Sequence, residues 1–389
     1  MNFIVSKLYT AARLSRVAVR QVRARYFGTL VHFPGDARAV CEQVVAGTWN
    51  GTFYETSLGH YDYFWMRDFG TVAKSLTVTG HKEKVHQTLA WALRNYKKAN
   101  HVTICIDRKG RAFNAPGRQS IDALPWLVHS LSVSGYPLSN TDKAFLNRRI
   151  SFYCKKYLNA RSGHLKKRRL FNELRDAVHY DRSAYAVALT GRLSSAAQEL
   201  GLKFPYPPSR YADELISHYW TGEYFRTDAE TDDFSAECAL MPFFLGIVKD
   251  KTLADATFNY ILKEKMETPY PLKYSNGKLK FRYRFMMGPI AMPNYTGDSI
   301  WTWHATFYLH LLNYYKRPEY EKEYRKFASL IERHGNYPEL VNPDGSWYYA
   351  PFYRADPGMV WAALFLELPQ PTGRDDDVIV KAAKRTVAK

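Results

Sequence analysis

Residues 82–99, KEKVHQTLAWALRNYKKA, contain the pattern that decides the fold class. Leu89, Trp91, Leu93 and Tyr96 supply the apolar positions. Lysine, arginine and glutamate residues occupy many of the remaining positions. This periodicity is typical of an amphipathic α-helix, in which one face packs on a core and the other meets solvent. The stretch therefore predicts a helix over 82–99.

The same pattern recurs on both sides of this stretch and predicts an all-α protein. Twelve helices in six consecutive pairs are expected near residues 36–47, 68–79, 82–99, 119–134, 140–158, 181–201, 208–219, 234–248, 251–265, 296–315, 317–334 and 357–367. An even set of helical hairpins forms either an open solenoid or a closed double ring of inner and outer helices. Because no repeat period is visible, we predict the closed (α/α)6 toroid. Minor β segments at 102–106 and 278–285 are expected in loops, without a sheet of their own.

The composition excludes several classes of protein. Hydrophobic residues make up 46% of the 389 residues and charged residues 24%, as in folded globular proteins. No apolar stretch approaches the roughly 20 residues that span a bilayer. The four cysteines show no CxxC pair and no histidine at ligand spacing, so neither a zinc site nor a disulfide scaffold is expected. A reducing compartment, the cytoplasm, is the expected location.

Positive charge is concentrated at the N-terminus of a chain whose formal net charge is +18. Basic residues begin at Lys7 and no acid precedes Asp36. We treat residues 1–34 as a basic arm, 35–370 as the main domain and 371–389 as a mixed-charge tail. The arm fits an organellar presequence or a segment that touches a membrane surface, and equally a helix that lies across the domain. No zinc-finger, helix-turn-helix or RRM signature is present, so no nucleic-acid partner is expected.

The most unusual residues lie in the connections between predicted helices. In residues 59–68, GHYDYFWMRD, aromatic residues accompany one arginine and two acids. Asp68 is suited to capping the following helix. Alternatively, Arg67 and Asp68 hydrogen-bond the vicinal hydroxyls of a sugar while Tyr63 or Trp65 stacks on its ring.

Three further connections carry acids, and one carries tryptophans. Residues 118–126 place Asp122 and Trp126 at a helix start, where Asp122 would also suit the positive end of the helix dipole. Residues 171–177 contain Glu173 and Asp176. Glu339 follows Pro338 and precedes an Asn-Pro-Asp-Gly turn, and Trp301 and Trp303 enter another helix.

A toroid would bring these connections to one funnel, with acids on opposite sides. Glycoside hydrolysis needs such a pair: a carboxylic acid protonates the leaving oxygen, and a carboxylate activates water from the other face. For inversion the two groups stand roughly 6.5–9.5 Å apart. The sequence therefore indicates a glycosidase, with tryptophans as candidate walls of the funnel.

The four connections that carry acids, taken in chain order, resemble those of the glucoamylase-like (α/α)6 glycoside hydrolase clan. The resemblance is closest to the amylo-α-1,6-glucosidase domain of glycogen-debranching enzymes. Residues 63–68, YFWMRD, resemble a Trp-x-Arg-Asp substrate loop, and 120–126, SIDALPW, resemble a Ser-x-Asp-Ala-x-x-Trp segment. Residues 174–177, LRDA, fall where the family has a Trp-Met-Asp-Ala acid loop. Residues 337–340, YPEL, are similar to its Pro-Glu-Leu base loop. The resemblance spans about residues 50–365.

The resemblance implies inverting hydrolysis of an α-glucosidic bond in an oligosaccharide, with no metal or other cofactor. Asp176 would be the general acid and Glu339 the general base, and Arg67, Asp68 and Asp122 would hold the sugar. Leu174 replaces the family's tryptophan before the acid, and Glu173 is a rival acid. Trehalase-like, invertase-like or phosphorylase chemistry therefore stays open, and so does a non-catalytic carbohydrate-binding protein.

Overall fold

The computed structural model describes residue 15 and residues 18–114, 119–167, 182–277 and 292–371. Within these ranges twelve α-helices follow residue 36. In chain order they are α1 Ala37–Thr48, α2 Met66–Leu76, α3 Lys82–Ala99, α4 Ala123–Val133, α5 Asn140–Tyr157, α6 Ala184–Glu199, α7 Ser209–His218, α8 Ala236–Phe244, α9 Lys251–Lys263, α10 Thr302–Tyr314, α11 Tyr320–His334 and α12 Ala362–Glu367. A π-helical turn, Thr77–His81, joins α2 to α3.

The even-numbered helices form a closed ring. Helix α2 packs on α4, α4 on α6, α6 on α8, α8 on α10, α10 on α12, and α12 packs back on α2. Four of the odd-numbered helices lie against this ring in the same way, with α3 on α2, α7 on α6, α11 on α10 and α1 on α12. The return of the last inner helix to the first distinguishes a toroid from an open solenoid. The predicted (α/α)6 toroid is confirmed.

Burial explains which helices lie inside. Every residue of α4 from Ala123 to Leu131 is buried, and so is every residue of α10 from Thr302 to Leu309. Helix α11 instead buries one face, which includes Tyr324, Phe327 and Ile331. A helix that is apolar on all sides needs neighbours all round, whereas an amphipathic helix is stable at the surface. The apolar pattern thus assigns α4 and α10 to the inner ring and α11 to the outer one.

Local signals fix several helix ends where they were expected. Ser139 and Asp142 form a capping box at the start of α5. Gly335 ends α11 with φ +51, in the left-handed region that favours glycine. Five of the six inner helices begin later than predicted, α10 and α12 by the widest margins. Helix α10 starts at Thr302 because the preceding residues form a strand, and α12 starts after a turn at Gly358, where φ is +63.

Short strands hold two of the loops that lead into inner helices. Strands β1 Phe64–Trp65, β2 Cys105–Ile106 and β3 Ala112–Phe113 form an antiparallel sheet in that order. The expectation that residues 102–106 build no sheet is therefore wrong, since Cys105 pairs with both Trp65 and Phe113. The other strand-like run, 278–285, lies outside the described residues.

A second pair of strands places the loop that contains Glu339. Strand β4 Ile300–Trp301 pairs antiparallel with β5 Leu340–Val341, with Ile300 opposite Val341 and Trp301 opposite Leu340. Strand β4 leads directly into α10, and Glu339 immediately precedes β5. This pairing therefore fixes Glu339 beside the start of an inner helix.

The N-terminal segment, residues 18–33, lies on the toroid. Residues 18–27 are helical, and Tyr26 donates its hydroxyl to the Pro351 carbonyl at 2.8 Å. Arg354 Nη1 donates to the Gly28 carbonyl at 2.6 Å, and Asn336 Nδ2 donates to the Val31 carbonyl at 2.6 Å. These contacts correspond to a helix that lies across the domain, one of the alternatives for the basic arm. Residues 372–389, nearly all of the expected tail, lie outside the described residues.

Two global features accompany this fold. None of the helices in the described ranges combines the length and the apolar character needed to cross a membrane. All four cysteines are free thiols, and three of them are buried.

Candidate functional site

The N-terminal ends of inner helices meet at one end of the ring. Arg67, in the first turn of α2, contacts Asp122, the residue before α4, and Asp122 also contacts Tyr185 in the first turn of α6. The Thr302 N–H, at the start of α10, donates to the Glu339 carbonyl at 3.2 Å. Because helix N-termini carry partial positive charge, this end of the ring stabilises carboxylates.

Glu339 is a buried carboxylate with three hydrogen-bond donors. Its side chain accepts the Tyr295 hydroxyl on Oε1 at 2.8 Å and the Tyr353 hydroxyl on Oε2. The Asp356 backbone N–H donates to Oε2 at 3.1 Å. The residue is only 2% exposed, so these donors hold the carboxylate in one orientation.

The surroundings of Glu339 change its affinity for a proton. Burial raises the pKa of Glu339 above its ordinary value, and the Asp356 charge raises it further. His60 and the Tyr353 hydrogen bond lower the pKa of Glu339 in part. Burial and the Glu339 charge raise the pKa values of the Tyr295 and Tyr353 phenols, which therefore remain protonated donors. Glu339 is thus a stronger base than an exposed glutamate.

Arg67 and Asp122 form a buried ion pair. Arg67 Nε lies 2.5 Å from Asp122 Oδ2, and their side chains are 8% and 0% exposed. The Ser120 hydroxyl donates to Asp122 Oδ1, and the Tyr185 hydroxyl donates to Oδ2 at 3.1 Å. The Asp122 side chain makes no capping hydrogen bond to α4. Asp122 therefore orients Arg67 and does not serve as a helix cap.

Trp126 lies behind this pair, inside the wall of the toroid. It is fully buried, and its indole Nε1 donates to the Tyr185 hydroxyl at 2.9 Å. Gly70 of α2 packs so closely that a Cβ on it would lie 2.7 Å from Trp126 Cβ. The sequence predicted Trp126 as a substrate-binding residue, but the structure places it in the core, where it supports Tyr185.

Asp68 shares the site with Glu339. It lies in the first turn of α2, whose N-cap is Trp65, so the capping alternative does not describe it. Burial raises the pKa of Asp68 to about 7, while Arg67 lowers it and the Glu339 charge raises it. The Trp361 side chain also favours the Asp68 carboxylate. Near neutral pH Asp68 can therefore both donate and accept hydrogen bonds.

Aromatic rings connect these polar groups. The Trp303 ring stacks on Trp361, with centroids 4.4 Å apart and planes 17° apart. The Trp301 ring lies 6.4 Å from Trp361, and its Nε1 donates to the Tyr295 carbonyl at 2.8 Å. The buried indole N–H groups of Trp65 and Trp303 have no hydrogen-bond partner in the described part of the chain. Such rings offer apolar faces and free donors together.

Residues 59–68, the first of the predicted loops, lie partly in the site and partly at its rim. Trp65 meets Tyr61 edge-on at 5.8 Å, and the Tyr61 and Tyr353 hydroxyls are 3.0 Å apart, which links Trp65 to the Glu339 cluster. Tyr63 instead lies at the rim, where Arg20 of the N-terminal segment covers its ring at 4.5 Å. The structure thus brings Arg67, Asp68, Trp301, Trp303 and Glu339 to one end of the ring, with Tyr63 further out.

Asp176 and Glu173 lie outside the described residues. Asp176 as the acid, and Glu173 as its rival, therefore stay predictions.

The sequence did not point to several residues around Glu339. Tyr295, Tyr353, Asp356 and Trp361 were not among the candidates, and His60 was noted without a role. One signal was available for two of them: residues 353–358, YRADPG, place a tyrosine and an aspartate in a turn before the last inner helix. The others become candidates only once the ring closes and brings distant segments together.

The arrangement suits acid–base chemistry on a polyhydroxylated molecule. A fixed carboxylate base lies beside an arginine–aspartate pair and several tryptophans. Aromatic faces bind C–H patches, while Arg67 and Asp68 are suited to hydroxyl groups. No group of three histidine, cysteine, aspartate or glutamate side chains within the described ranges is arranged to hold a metal ion.

This chain is similar to known proteins in its structure and not in its sequence. The sequence matches no protein-family model and no curated protein. Similar solved structures include a glycosidase variant, with TM-score 0.64 and 12% identity over 92% of this chain and 99% of that chain. A glycosidase variant in complex with glucose has TM-score 0.61 and 12% identity, with the same coverage.

The GH63 mannosylglycerate hydrolase from Thermus thermophilus, in complex with Tris and D-glycerate, is also similar. Its TM-score is 0.59, with 12% identity over 85% of this chain and 99% of that chain. These neighbours give no support for a particular closeness to glycogen-debranching enzymes. GH63 enzymes belong to the (α/α)6 glycosidase clan, and the chain has the fold of that clan.

Proposed function

We propose that this protein is a glycoside hydrolase and that Glu339 is its general base. The observation that carries the proposal is the buried Glu339 carboxylate, which three donors hold at the end of the ring where inner helices begin. The similarity of 92% of this chain to structures named glycosidases, one of them with glucose, supports the same activity.

In the proposed mechanism, Glu339 takes a proton from water as the water attacks the anomeric carbon. A second carboxyl group protonates the leaving oxygen from the opposite side. We assign this acid to Asp176, with Glu173 as the rival. The acid and Glu339 would have to stand about 6.5–9.5 Å apart to leave room for the water, and the anomeric configuration would invert.

The burial and the hydrogen bonds of Glu339 support its role as the general base. A base is most effective when its pKa approaches the working pH, and burial moves the pKa of Glu339 upward in that direction. Tyr295 and Tyr353 donate to opposite oxygens of the carboxylate, so they favour its charged form while burial opposes it. The carboxylate is thereby kept both oriented and basic.

The sugar would be held by other groups at the same end of the ring. Arg67, fixed by Asp122, and Asp68 would hydrogen-bond vicinal hydroxyls. Trp65, Trp301 and Trp303 would face the C–H surfaces of the ring. We propose an α-glucosidic bond of an oligosaccharide as the substrate, in keeping with the sequence motifs around these residues.

An NMR time course tests this proposal. The purified protein is mixed with a panel of α-linked glucose disaccharides and maltooligosaccharides, with and without inorganic phosphate. We expect release of a free sugar whose first-formed anomer is β, at a rate independent of phosphate. Release of the α anomer would contradict inversion, and a sugar phosphate would indicate phosphorolysis. Binding without turnover of any member of the panel would contradict hydrolysis.

A further inference from the structure

Asp356 lies at the centre of a fully buried cluster next to Glu339. Its side chain is 0% exposed, and Oδ1 accepts the His60 backbone N–H at 2.8 Å. Oδ2 accepts the Tyr61 backbone N–H at 2.9 Å and the Ser57 hydroxyl. His60 Nδ1 also lies 2.8 Å from Oδ1. One carboxylate therefore holds residues 57–61 in place.

The backbone of the same residue holds Glu339. The Asp356 N–H donates to Glu339 Oε2 at 3.1 Å, and the Asp356 carbonyl accepts the Glu339 N–H at 2.9 Å. Tyr61, which Asp356 holds through its N–H, places its hydroxyl 3.0 Å from that of Tyr353, and Tyr353 donates to Glu339. Asp356 is thus connected to Glu339 along two separate routes.

Gly59 shows how closely residues 57–61 wrap around this carboxylate. A Cβ on Gly59 would lie 1.9 Å from Asp356 Oδ1 and 2.8 Å from Pro357 Cδ. No side chain fits in that space, so only glycine allows this approach. The tight wrapping is what lets two backbone N–H groups reach the carboxylate together.

Asp356 also acts on Glu339 through its charge. Burial alone would raise the pKa of Asp356, but His60 and the Ser57 hydroxyl outweigh it and leave that pKa below its ordinary value. Asp356 is therefore an anion, and its charge raises the pKa of Glu339, while His60 lowers it. Among the described residues, the other titratable groups that interact with Glu339 are Asp68, Tyr61, Tyr295, Tyr348 and Tyr353.

We propose that Asp356 is a positioning residue for Glu339: it joins residues 57–61 to Glu339 and thereby fixes the carboxylate against Tyr353 and beside His60. This role rests on the proposed function of Glu339 as the general base. Asp356 itself touches no substrate in this account, because its side-chain oxygens are fully occupied by His60, Tyr61 and Ser57.

The test is the pH profile of kcat/KM for Asp356→Asn and His60→Gln. Removing the Asp356 charge is expected to move the acidic limb down by about one pH unit, as for a unit charge within a few ångströms of a carboxyl group. Removing His60 is expected to move the same limb up. Both variants should lose about tenfold or more in kcat with little change in KM. Asp344→Asn, the same substitution at an exposed turn residue, should keep the wild-type profile.

Opposite shifts support the proposal, because general structural damage would not move the limb in opposite directions. Wild-type limbs in both variants would overturn it. If Asp356→Asn does not fold, His60→Gln decides alone: an upward shift supports the proposal and an unmoved limb overturns it. Full activity of Glu339→Gln would instead overturn the proposed base, which separates failure of the proposed function from failure of this inference.

Discussion

Arg67 Nε lies 2.5 Å from Oδ2 of Asp122, a residue 55 positions further along the chain. The contact joins the first turn of one inner helix to the residue before the next inner helix. It therefore ties a proposed sugar-binding group to the packing of two neighbouring inner helices. Stability and the proposed sugar binding would therefore share this ion pair.

Replacing Asp122 should destabilise the protein strongly. Asp122→Ala leaves the Arg67 guanidinium buried without this partner, which costs about 3–5 kcal/mol in comparable pairs. The control is Glu321→Ala, which removes the exposed partner of Arg325 and should cost at most about 1 kcal/mol. Urea unfolding measures both free energies. Equal losses in the two variants would show that the Arg67–Asp122 pair has no special role in stability.

Tyr353→Phe should make Glu339 harder to deprotonate. The phenol donates to Oε2 and lowers the pKa of Glu339, so its removal should raise that pKa by about one unit. The acidic limb of kcat/KM should move up accordingly. Tyr348→Phe is the matched control, since the Tyr348 hydroxyl donates to the Pro293 carbonyl and not to Glu339. A limb that moves equally in both variants would refute this role of Tyr353.

Asp68→Asn should stabilise the protein above neutral pH. The pKa of Asp68 is about 7 in the folded protein against an ordinary value of 3.8, so folding favours the protonated form. The wild type therefore loses stability as the pH rises from about 4 through 7, and the asparagine variant does not. Thermal unfolding should give similar Tm values near pH 4 and a higher Tm for the variant near pH 8. A Tm difference that stays constant with pH would argue against a buried, proton-binding Asp68.

The basic N-terminal segment should contribute to stability. Arg25 Nε donates to the Ala350 carbonyl at 2.9 Å, and its guanidinium lies 4.9 Å from the Tyr349 ring. Arg25→Ala should therefore lower the free energy of unfolding by about 1 kcal/mol. Arg23→Ala, at an exposed position of the same helix, should change it little. If both variants match the wild type, the segment is only loosely attached and the presequence alternative gains support.

The ring of helices could be predicted from the sequence because helical periodicity is a local property. The apolar positions of residues 82–99 predicted α3 at its observed bounds, Lys82–Ala99. Glycine and capping signals located the start of α5 and the end of α11. The start of α10 was predicted too early because β4 forms only by pairing with β5, 40 residues away. Long-range pairing of two-residue strands leaves no periodic pattern.

The candidate site was predictable only in part, for the same reason. Arg67, Asp68, Asp122 and Glu339 stand in motifs that can be recognised along the chain. Trp126 stands in such a motif as well, but a tryptophan in the wall and one in the funnel have the same local sequence. Asp356 was missed because its role depends on residues 57–61, almost 300 positions earlier, and on hydrogen bonds that exist only in the closed ring.

The most direct test of the account is the kcat of Glu339→Gln, measured on an α-linked substrate that the wild type cleaves. Glutamine keeps the size of the side chain but cannot accept a proton from water. We predict a fall in kcat of at least about 10²-fold, with sugar affinity within a few-fold of wild type and an unchanged fold by circular dichroism. A kcat close to that of the wild type would contradict the central claim that Glu339 is the catalytic base.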